Sequence, residues 1–139
     1  MSLEHWLQLA GVCHFGILIA SALVPQVLDW KGELAKLPAL FRELVWVHGA
    51  FIVLTIIGLG AISLVNASEL AAGSGLARSF CAFAGIFWSA RLVVQFTVFD
   101  ARPFLTTPLL TVGYHGLTVV FTFLSVVYWW AALHATTVL

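Results

Sequence analysis

Four apolar runs, each about 20 residues long and so able to cross a hydrocarbon core about 30 Å thick, constrain this chain more than anything else in it. They lie at about 6–24, 44–65, 76–99 and 108–133 and leave little of the 139-residue sequence between them. Within hydrocarbon, backbone polar groups must be satisfied inside the segment, so each run reads as an α-helix. The composition agrees: 62% of the residues are hydrophobic and 9% are charged, where an ordinary globular domain has about a quarter charged.

The expected fold is all-α, an integral membrane four-helix up-down bundle forming a single transmembrane domain over residues 1–139. Connections as short as 66–75 and 100–107 favour antiparallel neighbours. Pro25 should end the first span, and Pro108 suits the first helical turn of the fourth, where its missing N–H is no loss. The longer connection, 26–43, alternates Leu34, Leu37, Leu40 and Phe41 with Lys31, Glu33, Lys36 and Arg42. That pattern predicts an amphipathic interfacial segment between helices 1 and 2, with Trp30 at headgroup depth. Ala20-Ser21-Ala22 imitates a signal-peptidase site, but no Lys or Arg precedes the run, so it reads as an uncleaved span.

Six basic and six acidic residues balance to zero net charge, which removes the basic surface that nucleic acid requires. Loop charge is uneven. Lys31, Lys36, Arg42 and Arg102 share one side and Arg78 stands on the other. By the positive-inside rule, loops 26–43 and 100–107 are cytoplasmic and both termini lie outside, in a bacterial-type inner membrane. The expected partners are the lipid bilayer and either other membrane subunits or further copies of this chain.

No nucleotide-binding glycine fingerprint or Cys-x-x-Cys pair occurs. Cys13 and Cys81 read as small buried hydrophobes. Gly11, Gly16, Gly49, Gly58, Gly85, Gly113 and Gly116 read as points where helices approach closely.

Polar residues interrupt the spans at helical spacing. Thr111, His115, Thr118, Thr122 and Ser125 share one face of span 4, and Cys81, Ala84, Trp88, Arg91 and Gln95 share one of span 3. His48 with Thr55, and His14 with Gly11 and Ser21, do the same in spans 2 and 1. Ser and Thr can bond back to their own helix, but an Arg or His in hydrocarbon needs a partner. Counting about 1.5 Å per residue from the cytoplasmic end puts His115 near 11 Å, Arg91 near 12 Å and His14 near 16 Å, with His48 and Gln95 near 6 Å. The five form a candidate site in the cytoplasmic half.

A three-histidine metal centre fits poorly with that spread of depths. Two histidines on facing helices suit a haem better, since a macrocycle separates its axial ligands. His14 with His115 is the better-matched ligand pair and His48 with His115 the second, with Arg91, Gln95 and His48 near the cofactor. In size and span-borne histidines the chain resembles small b-type cytochrome membrane domains and the four-helix membrane proteins of haem biosynthesis. The resemblance is one of architecture and carries over no residue roles. The leading expectation is haem b binding and electron transfer. Beside it stand a non-catalytic accessory or assembly subunit, and a carrier or enzyme for a quinone-like or anionic small molecule held by Arg91 and His115.

Overall fold

A computed structural model describes residues 1–134, all of whose regular structure is helical. The helices are α1 (Leu3–Ala22), α2 (Val24–Val27), α3 (Trp30–Ala35), α4 (Ala39–Val65), α5 (Ala67–Ala72), α6 (Gly75–Thr97) and α7 (Pro108–His134), with one 3-10 turn at Arg102–Phe104. Four are long and apolar enough to cross a membrane: α1 continued through α2, α4, α6 and α7. The chain is an all-α four-helix bundle of membrane-spanning type.

Local chemistry sets the breaks. Pro25 falls in the first turn of α2, and α1 stops before it at Ala22. Asp29 takes a left-handed conformation (φ 49°, ψ 53°) and its carboxylate accepts from the Gly32 N–H, capping α3. Pro38 then starts α4 at Ala39, five residues before the apolar run suggests, so the connection becomes α3 plus the first turn of a long helix. Gly73 (φ 77°) closes α5, and the Ser74 hydroxyl caps α6 by accepting from the Ala77 N–H. Thr107 does the same for α7 at the Leu110 N–H, and the Arg78 guanidinium donates to the Ala132 carbonyl at the other end. Each satisfies a terminal group that the helix cannot.

Neighbouring spans run antiparallel. Gly11 of α1 meets Leu64 of α4 while His14 meets Gly60, and on the other side Gln95 pairs with Thr118 while Gly85 faces Trp129. Lipid tails are as apolar as leucine, so such helices associate by close packing and hydrogen bonds. The α1–α4 contact is the closest: a Cβ on Gly60 would stand 2.8 Å from the His14 Cβ, and one on Gly11 would stand 2.6 Å from the Leu64 Cγ. Gly85 lets the Trp129 ring lie against α6. The other glycines expected to serve this way do not: a Cβ at Gly16, Gly49, Gly58, Gly113 or Gly116 meets nothing within 4 Å.

Packing is uneven along the bundle. The first buried residue of α4 is Ile56 and that of α7 is Phe121. Most of the core therefore sits at the end that carries the termini and α5, built from Leu7, Ala10, Leu59, Cys81, Leu124 and Tyr128. The opposite end, with α3 and the 98–107 loop, is open.

Gly60→Leu forces α1 from α4 and should cost about 1–3 kcal/mol, the usual penalty of overpacking. Thermal unfolding in detergent should show a clear drop for Gly60→Leu and none for Gly58→Leu, whose site is open.

Candidate functional site

His14 lies at the centre of the packed half and is fully buried. Its Nδ1 is 2.7 Å from the Ala10 carbonyl oxygen, which can only accept, so Nδ1 carries the proton. The other nitrogen, Nε2, accepts from the Trp88 indole N–H at 3.0 Å. One neutral tautomer satisfies both bonds. The Tyr128 ring stands edge-on to His14 at 5.9 Å, and its hydroxyl bonds Ser63 of α4. Four helices thus meet in one cluster of two hydrogen-bonded pairs, His14 of α1 with Trp88 of α6 and Ser63 of α4 with Tyr128 of α7, joined by the edge-on contact of the His14 and Tyr128 rings.

The expected pair, His14 and His115, is not brought together in this structure. His14 has no free nitrogen. His115 stands thirteen residues before Tyr128 on α7, about 20 Å along the helix axis from the level of His14. Two axial ligands of one haem must stand on either face of a single ring. The residues therefore do not fit that cofactor, nor do the described residues bring three His, Cys, Asp or Glu side chains together for a metal ion. The depth estimate assumed that all four spans start at one level, whereas contacts place His14 level with Gly60, Trp88 and Tyr128, which lie at different distances from the starts of their helices.

His48 and His115 do not enter the bundle interior. Both are exposed in the bare protein, His48 with its Nδ1 on the Leu44 carbonyl at 2.7 Å and His115 against the Tyr114 ring. The expected second pair, His48 with His115, is likewise not brought into one pocket. The hydroxyl stripe of span 4 has the plainer explanation. Thr111, Thr118, Thr122 and Ser125 all bond the carbonyl four residues back, at 2.8–3.1 Å.

Arg91 and Gln95 are the expected site residues that face inward. Gln95 is buried, and its amide N–H donates to Thr118 of α7. The Arg91 guanidinium is held between two rings, with its carbon 5.0 Å from the Phe121 centroid and 5.4 Å from that of Phe99. Such contacts contribute roughly 0.5–2 kcal/mol. Its Nη1 is buried and, among the described residues, has no hydrogen-bond partner. Arg91 therefore does not snorkel freely, and the bond to Gln95, a carbonyl or a histidine that its surroundings invited is not made through Nη1.

Gln95 and Phe99 also line a cavity of about 340 Å³ at the open end, completed by Phe96, Asp100, Leu105 and Tyr114. Its rim is charged: Asp100 pairs with Arg102 at 2.9 Å. Hydrogen bonding to Arg102 holds the Asp100 carboxyl below its ordinary range, and the same bond raises Arg102. Stability from a lowered carboxyl is present above the ordinary aspartate range and fades as pH falls through the folded value. Both groups are exposed, so the effect on stability is small.

The sequence reading missed Phe99, Phe121, Ser63 and Tyr128. No family model, no curated protein and no solved structure matches this chain.

Replacing Trp88 by Phe keeps the ring but removes the donor to His14, and should cost about 0.5–1.5 kcal/mol of stability, the range of interhelical hydrogen bonds. Chemical unfolding in mixed micelles measures it. At the rim, carboxyl-carbon NMR should give Asp100 a midpoint below that of an unpaired aspartate. In Arg102→Gln the midpoint should rise to the ordinary range.

Proposed function

We propose that this protein binds an anionic amphiphile, receiving its carboxylate or phosphate headgroup at Arg91 while the tail stays in the bilayer. The observation that carries this reading is the buried Nη1 of Arg91, which has a proton to donate and no acceptor among the described residues. Leaving a buried charged donor unmet costs more than a neutral one, so the position favours any ligand that brings an anionic oxygen. Phe99 and Phe121 hold the guanidinium in place and exclude water from its faces, which strengthens attraction to an anion.

The cavity beside it lies at the lower end of small-molecule pocket sizes, about 300–1,000 Å³. That volume suits a headgroup and not a whole lipid. Gln95 has committed its amide N–H to Thr118, so its carbonyl oxygen is left to accept from a ligand hydroxyl. Tyr114 offers a phenol at the cavity wall. Loop charge supports a cytoplasmic mouth. Haem and electron transfer find no support in this arrangement, because the two histidines that would ligate the ring do not converge.

Binding of a fatty acid and of phosphatidylglycerol to protein in phosphatidylcholine nanodiscs tests the reading. Wild type should bind both, and Arg91→Leu should weaken them about 10–100-fold, the worth of one charge-assisted hydrogen bond. Arg91→Lys should retain part of the affinity. Equal affinity in wild type and Arg91→Leu, with the bundle folded in both, would overturn it; binding of inorganic phosphate alone would identify a free anion as the ligand.

A further inference from the structure

The cavity at the open end is walled by the last turn of α6 and the loop that follows it, from Gln95 to Arg102, with Leu105 and Tyr114. We infer that it receives the ammonium group of a zwitterionic headgroup of the phosphoethanolamine kind, whose N–H groups donate to free oxygens at the C-terminus of α6. The inference rests on the proposed anion site at Arg91 for the phosphate and assigns the other half of the headgroup.

The last carbonyls of a helix have no partner within it and need one from outside. After α6 the chain supplies little. The C-cap, Val98, stays right-handed (φ −109°, ψ −44°), so no left-handed turn brings N–H groups back over the helix end. The Val98 and Phe99 N–H groups both go to the Val94 carbonyl, and the Arg102 N–H goes to the Asp100 carboxylate. Among the described residues, no backbone N–H donates to the carbonyls of Gln95, Phe96 and Thr97. The last turn of α6 also holds no basic residue. At the opposite end of the bundle, the Arg78 guanidinium serves α7 in that way at Ala132.

A buried side chain adds a further oxygen. Gln95 is 3% exposed and lines the cavity. The Thr118 hydroxyl gives its one proton to the Tyr114 carbonyl at 3.0 Å, so toward Gln95 it can only accept. That fixes the amide with its nitrogen on Thr118 and leaves Oε1 without a donor among the described residues. The other polar groups of the wall are engaged or stand outside. Thr97 donates to the Val93 carbonyl, Arg102 holds both Asp100 oxygens, and the Arg102 side chain is 88% exposed. The Tyr114 phenol can donate or accept and so suits either kind of ligand.

Unmet acceptors in one cavity call for a ligand with several donors, and the negative end of the α6 dipole favours a cation among them. A primary ammonium meets both needs. Its charge partner is close, because the Arg91 guanidinium lies against Phe99, whose ring lines this cavity. In phosphoethanolamine a short ethylene link joins phosphate to ammonium, so one headgroup carries an acceptor for Arg91 and donors for α6.

The test is native mass spectrometry of the full chain in dodecyl maltoside, titrated with phosphatidylethanolamine, its N-methyl and N,N-dimethyl derivatives, and phosphatidylcholine. This series keeps acyl chains and net charge constant while removing one donor at a time. Wild type should bind the first about tenfold more tightly than the last, the worth of one charge-assisted hydrogen bond, with the derivatives in order between them. Gln95→Met should reduce that ratio about threefold. Asp100→Asn, an exposed change, should reduce it too, because Arg102 is then released to face the ammonium. Equal binding across the series, or tighter binding of phosphatidylcholine, would mean that charge or ring faces alone hold the cation and would overturn the inference. So would a ratio that is unchanged in both variants. Arg91→Leu should weaken all four lipids alike; unchanged affinities there would count against the anion site and leave the ordering by donor number standing. Displacement by glycerophosphoethanolamine, and not by glycerophosphocholine, would show the same recognition with a soluble headgroup as its source.

Discussion

One side chain, His14, satisfies both of its ring nitrogens inside the protein, and the packed half of the bundle is arranged around it. Its Nδ1 proton goes to its own helix at Ala10, which fixes the ring, and the fixed ring presents Nε2 to Trp88 on a helix far away in sequence. That geometry requires α1 to lie close against α4, and Gly11 and Gly60 make the approach possible. Tyr128 and Ser63 close the cluster from the remaining two spans. In hydrocarbon no water competes for these groups, so a satisfied network specifies which faces meet as well as holding them together.

The same cluster connects outward to the candidate site. Trp88 stacks on Phe121 with centroids 5.2 Å apart, and Phe121 carries the Arg91 guanidinium on its other contact. Arg91 thus stands at the boundary between the closed half and the open half, anchored by Phe121 and in contact with Phe99, which lines the cavity. Its position explains why a costly charge is tolerated within a span: the rings on either side compensate part of the desolvation, and the remainder falls on one nitrogen.

Much of the architecture was legible from residue type alone. Apolar run length gave the number of spans, and Pro38, Ser74 and Pro108 stand where helix-terminus chemistry puts them. Arg91 and Gln95 were recognisable as inward-facing because hydrocarbon makes the alternatives expensive. The histidines were not, for a physical reason. A histidine in a helix can bond the carbonyl four residues back, as His14 and His48 both do, and so can turn to either face. Periodicity could not tell a buried His14 from an exposed His115. The Thr and Ser stripe is satisfied by its own helix, as residue type allowed. Small residues were equally ambiguous: only the partner helix decides whether a glycine is a contact, and Gly60 is one while Gly58, half a turn away, is not.

The uneven packing of the bundle has a mechanical meaning. Where side chains interlock, the distance between helices is a property of the protein; where they do not, it is a property of whatever lies between them. α4 before Ile56 belongs to the second kind, while α7 in the same half is still tied to α6 through Gln95 and Thr118. At that end the spacing of α4 from its neighbours therefore follows whatever occupies the space between them, while at the other end the histidine cluster sets it.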